Sequence, residues 1–430
     1  MSTRLAVIRT AARPCQPHQL RHLGQLPACR LQQQQQSGVV APHPSPPATR
    51  TLSSSSTSST VVPPRRRRAT PAPDLERLRR QPAKVIPDYL TPMPSHLLTT
   101  MLDDLEACGG GSGDNAVAAD TSQDDAVLAA DHHPPSPSSR GPPLPKERSG
   151  PSSPIVQSPA LALPQGHHLV YFPIQAAPSR LAPDGADLDH SPGLHYSRRL
   201  WAGGEVTFRG AGGLVLDGRP WTCTETIGDV RVKADASREL AEIGGNEKVF
   251  VDVWRRYALD HHHPGLEKTP LPWSIEERRT LVFMDPGDNP VPPPQTGAKV
   301  VKYPHEAAHS VRVLPSARHL FHFSALTFNA HAIHLDPQYA RSVDGHRAPL
   351  VHGPLTLALM LRVLAASAGP RPVERLVYRN HAPLYVDEPL TVKVRPVPSR
   401  GGGGGGAVWD AWVEGPDGGL AVKGTATLAT

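Results

Sequence analysis

The sequence predicts an α+β protein that uses one plan twice, a helix accompanied by several antiparallel strands. Three observations predict it. Two apolar segments have helical spacing, one from Pro92 to a stop at Gly109 and one from Leu355 to Ala368. Each is followed by a series of short segments that alternate apolar and polar residues or are β-branched. The order of helix then strands recurs although the two halves share no convincing sequence identity. The repeat is one of architecture.

In the first half, strand-like segments are His168–Phe172, Gly204–Phe208, Thr222–Ile227, Val230–Lys233, Lys248–Trp254 and Arg278–Met284. Asp260 to Pro272 is rich in His and Pro and reads as a loop. The pattern restarts near Val300. A strand is expected at Ser310–Leu314, then a segment Phe321–Leu326 and a short helix at Pro337–Ser342. After the second long helix come strands at Val373–Asn380, Leu390–Val397, Val408–Glu414 and Gly419–Leu428. The hexaglycine Gly401–Gly406 falls where a hairpin loop belongs.

The 430 residues are not all core, because the 50 prolines and 36 glycines concentrate in particular stretches. Residues 1–73 contain ten arginines and no Asp, Glu or Lys, so of a net +6 the remainder carries −4. A mildly acidic body argues against nucleic-acid binding. The leader has the composition of a mitochondrial transit peptide, with a disordered basic tail as the plain alternative. Residues 74–299 form the first unit, interrupted by a disordered insertion at 109–159, and residues 300–430 form the second. Cys15, Cys29, Cys108 and Cys223 are far apart and lack C-x-x-C spacing, which fits a reducing compartment. No apolar run is long enough for a spanning helix.

Chemistry concentrates in the stretch Phe323 to His334, with Val351-His352-Gly353-Pro354-Leu355 a short distance on. The first places an amide, Asn329, and an imidazole, His334, five residues apart. The second places the Gly353 N–H at the start of an apolar helix. A base, a polar orienting group and a helix-terminal donor are parts for acid–base chemistry beside a thioester carbonyl.

This stretch resembles the signature of MaoC-like hydratases and dehydratases of the hot-dog fold. Phe323, Leu326, Thr327, Ile333, His334 and Ala340 stand at matching positions. Four positions depart: Phe328 for glycine, Asn329 for the catalytic aspartate, His331 for asparagine and Ala332 for proline. With Gly166–Phe172, Arg198–Gly204, Glu277–Phe283 and His352–Leu355, the departures resemble a subfamily of double hot-dog proteins. It includes fungal mitochondrial hydroxyacyl-thioester dehydratase type 2 and mesaconyl-C4 CoA hydratases.

The resemblance implies a double hot-dog fold, a long central helix wrapped by an antiparallel sheet in each of two units, with the active site in the second. It implies reversible dehydration of (3R)-3-hydroxyacyl thioesters to trans-2-enoyl thioesters in type II fatty acid synthesis of the mitochondrial matrix. The substrate would be carried on acyl carrier protein or CoA, with no cofactor. The alternatives are a mesaconyl-C4 CoA-type hydratase and a non-catalytic acyl-thioester binding module. An arginine in the tail pocket would favour the former over fatty acyl chains. The state is monomer or homodimer, since two hot-dog units in one chain can pair with each other.

In this reading His334 is the base for the C2 proton, the Gly353 N–H holds the enolate oxygen and Asn329 orients the hydroxyl, which it cannot protonate as an acid would. His334 then carries both proton transfers, or a further acid exists that the sequence does not identify. The plainer readings are a satisfied core histidine, an Asn329 that caps the helix after it and a Gly353 that permits a tight turn. His331 and His352 are expected to be structural. In the first half, Tyr171, Trp201 and Phe208 either line a widened acyl pocket or are ordinary core. Arg198 and Arg199 either meet a pantetheine or CoA phosphate or are solvated. His319, His322, His331 and His334 form two H-x-x-H pairs, but without Cys or carboxylate partners at suitable spacing a metal is not expected.

Overall fold

A computed structural model describes residues 72–109, 161–210, 214–233, 247–259, 272–285, 300–398 and 406–430. The leader up to residue 71, the insertion from residue 110, the His261–His263 run and Gly401–Gly405 lie outside the described residues.

The first half contains α1 (Leu75–Arg79), β1 (Lys84–Tyr89), α2 (Pro92–Gly109), β2 (Arg198–Phe208), β3 (Pro220–Lys233), β4 (Lys248–Leu259) and β5 (Ile275–Met284). The second contains β6 (His309–Val313), α3 (Ala317–Leu326), α4 (Pro337–Ser342), α5 (Gly353–Ser367), β7 (Val373–Asn380), β8 (Leu390–Pro396), β9 (Val408–Glu414) and β10 (Leu420–Leu428). All ten described strands join one sheet in the order β1-β3-β4-β5-β2-β7-β10-β9-β8-β6. The second five positions repeat the first five in reverse, so the halves meet as pseudo-symmetric mates at the antiparallel β2/β7 pair. This is the double hot-dog arrangement.

Glycine makes the junction possible. Gly203, at φ +149, pairs with Arg379, and Gly204 pairs with Tyr378. A Cβ on Gly204 would lie 2.2 Å from the Arg278 carbonyl oxygen and 2.9 Å from the Tyr378 hydroxyl. The backbones approach too closely there for a side chain.

The two long helices share a core. α5 buries Leu355, Leu357, Leu359, Met360, Leu361, Val363 and Leu364, so it is apolar around most of its circumference, as a largely enclosed helix is. α2 buries Leu98, Met101, Leu102 and Leu105 and packs against β6 and α3 of the second half. Arg362 of α5 reaches Glu106 at 2.6 Å on α2. One apolar cluster runs from Ile86 and Trp221 through both helices to Val392, Val413 and Leu428.

Four local expectations change. His168–Phe172 is not a strand: His167–Val170 is a short 3-10 turn entered through Gly166 at φ +93. The run is buried on all sides, and such a run carries no periodicity to distinguish turn from strand. Phe321–Leu326 is the end of α3, whose N-cap Ser316 and His319 form a reciprocal capping pair. His334 accordingly sits in a 3-10 turn, Ala332–His334. The two segments Thr222–Ile227 and Val230–Lys233 are one strand with a register shift between them. β1 is absent from the sequence reading because only Ile86 of it is buried and Pro87 interrupts it, as befits an edge strand.

Candidate active site

A cavity of about 390 Å³ lies between the halves, lined by the α3–α4 connection, the start of α5 and residues of β2, β3, β4 and β5. His334, Asn329 and Gly353 all line it, as do Tyr171, Arg199 and Trp201. The structure thus brings together six of the eight residues singled out in the sequence. Phe208 and Arg198 are not among the lining. Phe208 packs edge-on against the His168 ring at 5.9 Å, and Arg198 donates to the Val343 carbonyl at 2.9 Å. Arg199 is not solvated: it binds the Asp187 carboxylate at 2.8 Å.

The loop that carries His334 is fixed by its own backbone. Phe328 takes a left-handed φ of +52 where the resembled signature has glycine, a conformation that is costly for a bulky side chain. Asn329 then donates its N–H to the Ser324 carbonyl at 2.8 Å, and its Oδ1 accepts from His331 N–H at 3.1 Å. The amide side chain therefore shapes the turn and lines the cavity as well.

The His334 ring has a defined tautomer. Its Nδ1 lies 2.8 Å from the Leu350 carbonyl; a carbonyl only accepts, so Nδ1 carries the hydrogen and Nε2 keeps its lone pair. Leu350 N–H returns a bond to the Ile333 carbonyl at 3.0 Å, locking the two segments. Burial pushes the His334 pKa down to about 3, with His331 and Arg199 adding to the fall. The imidazole is therefore neutral across the working range.

His352 stacks on His334, with centroids 3.7 Å apart and planes 19° from parallel. It is fully buried, its Nε2 is 2.9 Å from Ser324 Oγ, and burial holds it well below the ordinary histidine value. Gly353 follows as the first residue of α5, with Pro354 next. The opening N–H groups of a helix lack an intrahelical acceptor, and Pro354 has none to offer. Of the residues that keep such an N–H, Gly353 lines the cavity and Leu355 does not. The Trp201 side chain packs beside this glycine, 3.1 Å from where a Gly353 Cβ would be.

A charged network forms the β3, β4 and β5 side of the cavity, with Glu225, Arg255 and Arg279 in its lining and Glu277 fully buried outside it. Glu225, Arg255 and Glu277 stand directly across from one another on β3, β4 and β5. Arg255 Nε is 3.1 Å from Glu225, and Arg279 is 2.7 Å from Glu277. His190 bridges Glu225 at 3.0 Å and Asp187 at 3.4 Å. Burial opposes charge on His190, but the two carboxylates override it and raise the pKa to about 9. Burial likewise opposes charge on Glu225, and His190 and Arg255 bring it down to about 2. Arg199, Arg255 and Arg279 all line the cavity.

These residues escaped sequence reading because they come from three strands and a loop. Their one signal was Glu277 and Arg279, two residues apart on a strand and so on the same face. Among the described residues, no group of three or more His, Cys, Asp or Glu is placed to hold a metal ion. Of the H-x-x-H histidines, His319 binds Asp104 at 2.8 Å and His322 is exposed. Cys108 and Cys223 are free thiols. No described helix is long and apolar enough to cross a membrane.

The chain is similar to known proteins. A family model for hydroxyacyl-thioester dehydratase type 2 matches residues 166–386. The chain is 33% identical to a mesaconyl-C(4)-CoA hydratase of Chloroflexus aurantiacus over 64% of this chain and 86% of that protein. It is 26% identical to the mitochondrial hydroxyacyl-thioester dehydratase type 2 of Schizosaccharomyces pombe, over 54% of this chain and 77% of the other. A MaoC-like dehydratase from Phytophthora capsici is 12% identical, with a TM-score of 0.47 over 83% of this chain and 98% of that one.

Proposed function

The chain belongs to the hydroxyacyl-thioester dehydratase type 2 family, a family of acyl-thioester hydro-lyases, and from that premise we propose that it interconverts (3R)-3-hydroxyacyl and trans-2-enoyl thioesters. The observation that carries this reading is His334, a neutral imidazole with a free Nε2 in a cavity that also presents the Gly353 N–H. In dehydration Nε2 removes the C2 proton while the thioester oxygen, gaining enolate character, is held at the N-terminus of α5. Asn329 lies on the same wall, placed to orient the C3 hydroxyl. The C3–O bond breaks and water leaves; hydration is the reverse.

Carriage on acyl carrier protein or CoA, in mitochondrial type II fatty acid synthesis, is the physiological setting we propose. It is supported by the acid-free basic leader and by the two fungal relatives, both named as mitochondrial. A second reading has a specific observation behind it. Arg199, Arg255 and Arg279, with His190, line the cavity alongside the carboxylates of Asp187 and Glu225, an excess of positive charge that favours an acyl group ending in a carboxylate, as in a mesaconyl-C4 thioester. Rates of enoyl absorbance loss on crotonyl-CoA, trans-2-decenoyl-CoA and mesaconyl-C4-CoA separate the two. Fastest turnover of the decenoyl ester supports fatty acid synthesis, and fastest turnover of the mesaconyl ester supports the second reading. No turnover of any of them by folded protein overturns both.

A further inference from the structure

Elimination of water needs a base at C2 and an acid at C3, because hydroxide is a poor leaving group. His334 supplies the base, and Asn329 has no acidic proton to give. The structure holds another imidazole in the same wall. His331 lines the cavity, its centroid 5.8 Å from that of His334 and its plane nearly perpendicular. It caps the 3-10 turn that ends at His334, and residues three apart in such a turn eclipse. The residue is 4% exposed, and its Nε2 faces the Asp184 carboxylate. That contact, Nε2 to Asp184 Oδ2, is 3.4 Å.

Asp184 comes from the first half of the molecule and is tied to the His331 turn. Its Oδ1 accepts from Ala186 N–H at 2.9 Å, and its carbonyl accepts from Ala332 N–H at 2.7 Å. Gly185 follows at φ +78, where a Cβ would lie 2.1 Å from the Ala330 carbonyl oxygen. Only glycine lets this loop close on the His331 turn. Burial opposes charge on the Asp184 carboxyl, yet His331, the Ala186 N–H and Arg199 hold it below the ordinary aspartate value. Two other ionisable groups bear on His331 besides Asp184 and His334. Asp344, beyond α4, lies 3.7 Å from Arg198, and His352 belongs to the stacked pair.

We propose that His331, backed by the Asp184 carboxylate, is the acid that protonates the departing C3 hydroxyl, in place of the carboxylate that Asn329 lacks. The inference rests on the hydro-lyase reading above. In the step, His334 Nε2 takes the C2 proton and the C–H electron pair becomes the C2=C3 bond. The C3–O bond breaks toward oxygen, which takes the Nδ1 proton of the His331 imidazolium, whose Nε2–H stays on Asp184, and leaves as water. The proton on His334 returns to His331 through solvent, restoring both groups. Asp184 orients His331 as a carboxylate orients an imidazole in a hydrolase triad.

A change of leaving group tests this. Dehydration of (3R)-3-hydroxybutyryl-CoA needs base and acid, whereas chloride loss from (3R)-3-chlorobutyryl-CoA needs only the base. His331→Asn should slow dehydration by about 100-fold or more and chloride elimination by no more than a few-fold. Asp184→Asn should give the same split at smaller amplitude, and His334→Gln should abolish both reactions. Equal losses on the two substrates in His331→Asn, or undiminished dehydration, overturn the assignment. A wild-type protein that dehydrates no hydroxyacyl thioester overturns the hydro-lyase reading itself, and the acid with it.

Discussion

At the scale of single residues, the site separates protonation states by environment. His334 and His352 are buried without an anionic partner and kept neutral, whereas His190 lies between two carboxylates and is kept charged. Their contributions to stability with pH therefore oppose. A histidine whose folded pKa is depressed favours the fold above its unfolded value and loses that contribution as pH falls, at about 1.4 kcal/mol per pH unit. His190, raised to about 9, contributes fully below the unfolded value and loses its contribution as pH rises through about 9. Urea midpoints compared at pH about 6.5 and about 9 should differ less in His190→Gln than in the wild type; an unchanged difference contradicts the ion-paired assignment. The donor role of Gly353 is testable at one atom. His352 has ψ +132, the setting that a following proline requires, and the first helical position tolerates proline. Gly353→Pro therefore removes the N–H, while Gly353→Ala keeps it and adds a Cβ. The expected result is a kcat for the proline variant about 100-fold or more below that of the alanine variant, the typical cost of losing an oxyanion donor. Equal kcat values would remove Gly353 from the chemistry.

At the scale of elements, what the sequence revealed follows from periodicity. α2, α4, β7 and β9 match their expected spans because their apolar spacing or end signals are clean. β1 and the His167 turn were illegible for opposite reasons: one is buried too little to show a pattern, the other on every side. Site legibility divides the same way. The His334 loop and the Gly353 helix start are contiguous in sequence and form one wall. The charged network of Glu225, Arg255 and Glu277 exists only once β3, β4 and β5 are in register. Two substitutions probe these elements. Leu359 on α5 is fully buried, so Leu359→Ala should lower stability by about 2–5 kcal/mol. Glu225→Gln leaves the buried Arg255 and His190 short of a counter-charge and should cost about 3–5 kcal/mol, measured as a fall in the urea midpoint. A loss under about 1 kcal/mol would mean that the charged wall is open to water.

At the scale of the whole molecule, the two halves are one folding unit with an asymmetric division of labour. The sheet is continuous through β2 and β7, and the apolar cluster takes residues from both halves. The second half supplies His334, Asn329 and Gly353, while the first supplies the charged wall, Trp201 and the Asp184 loop. Residues 300–430 alone are thus expected neither to fold cooperatively nor to turn over a thioester, because α5 and the His331 turn would lose their cover. Far-UV circular dichroism of that fragment checks this, and a cooperative thermal transition would contradict it. The central claim is that His334 is the base of an acyl-thioester hydro-lyase. Its most direct test is the loss of enoyl absorbance from crotonyl-CoA with full-length protein and with His334→Gln, both shown to be folded. The account predicts hydration by the wild type and a fall of about 100-fold or more in the variant, the scale of a lost general base. Equal rates in the two proteins would contradict it.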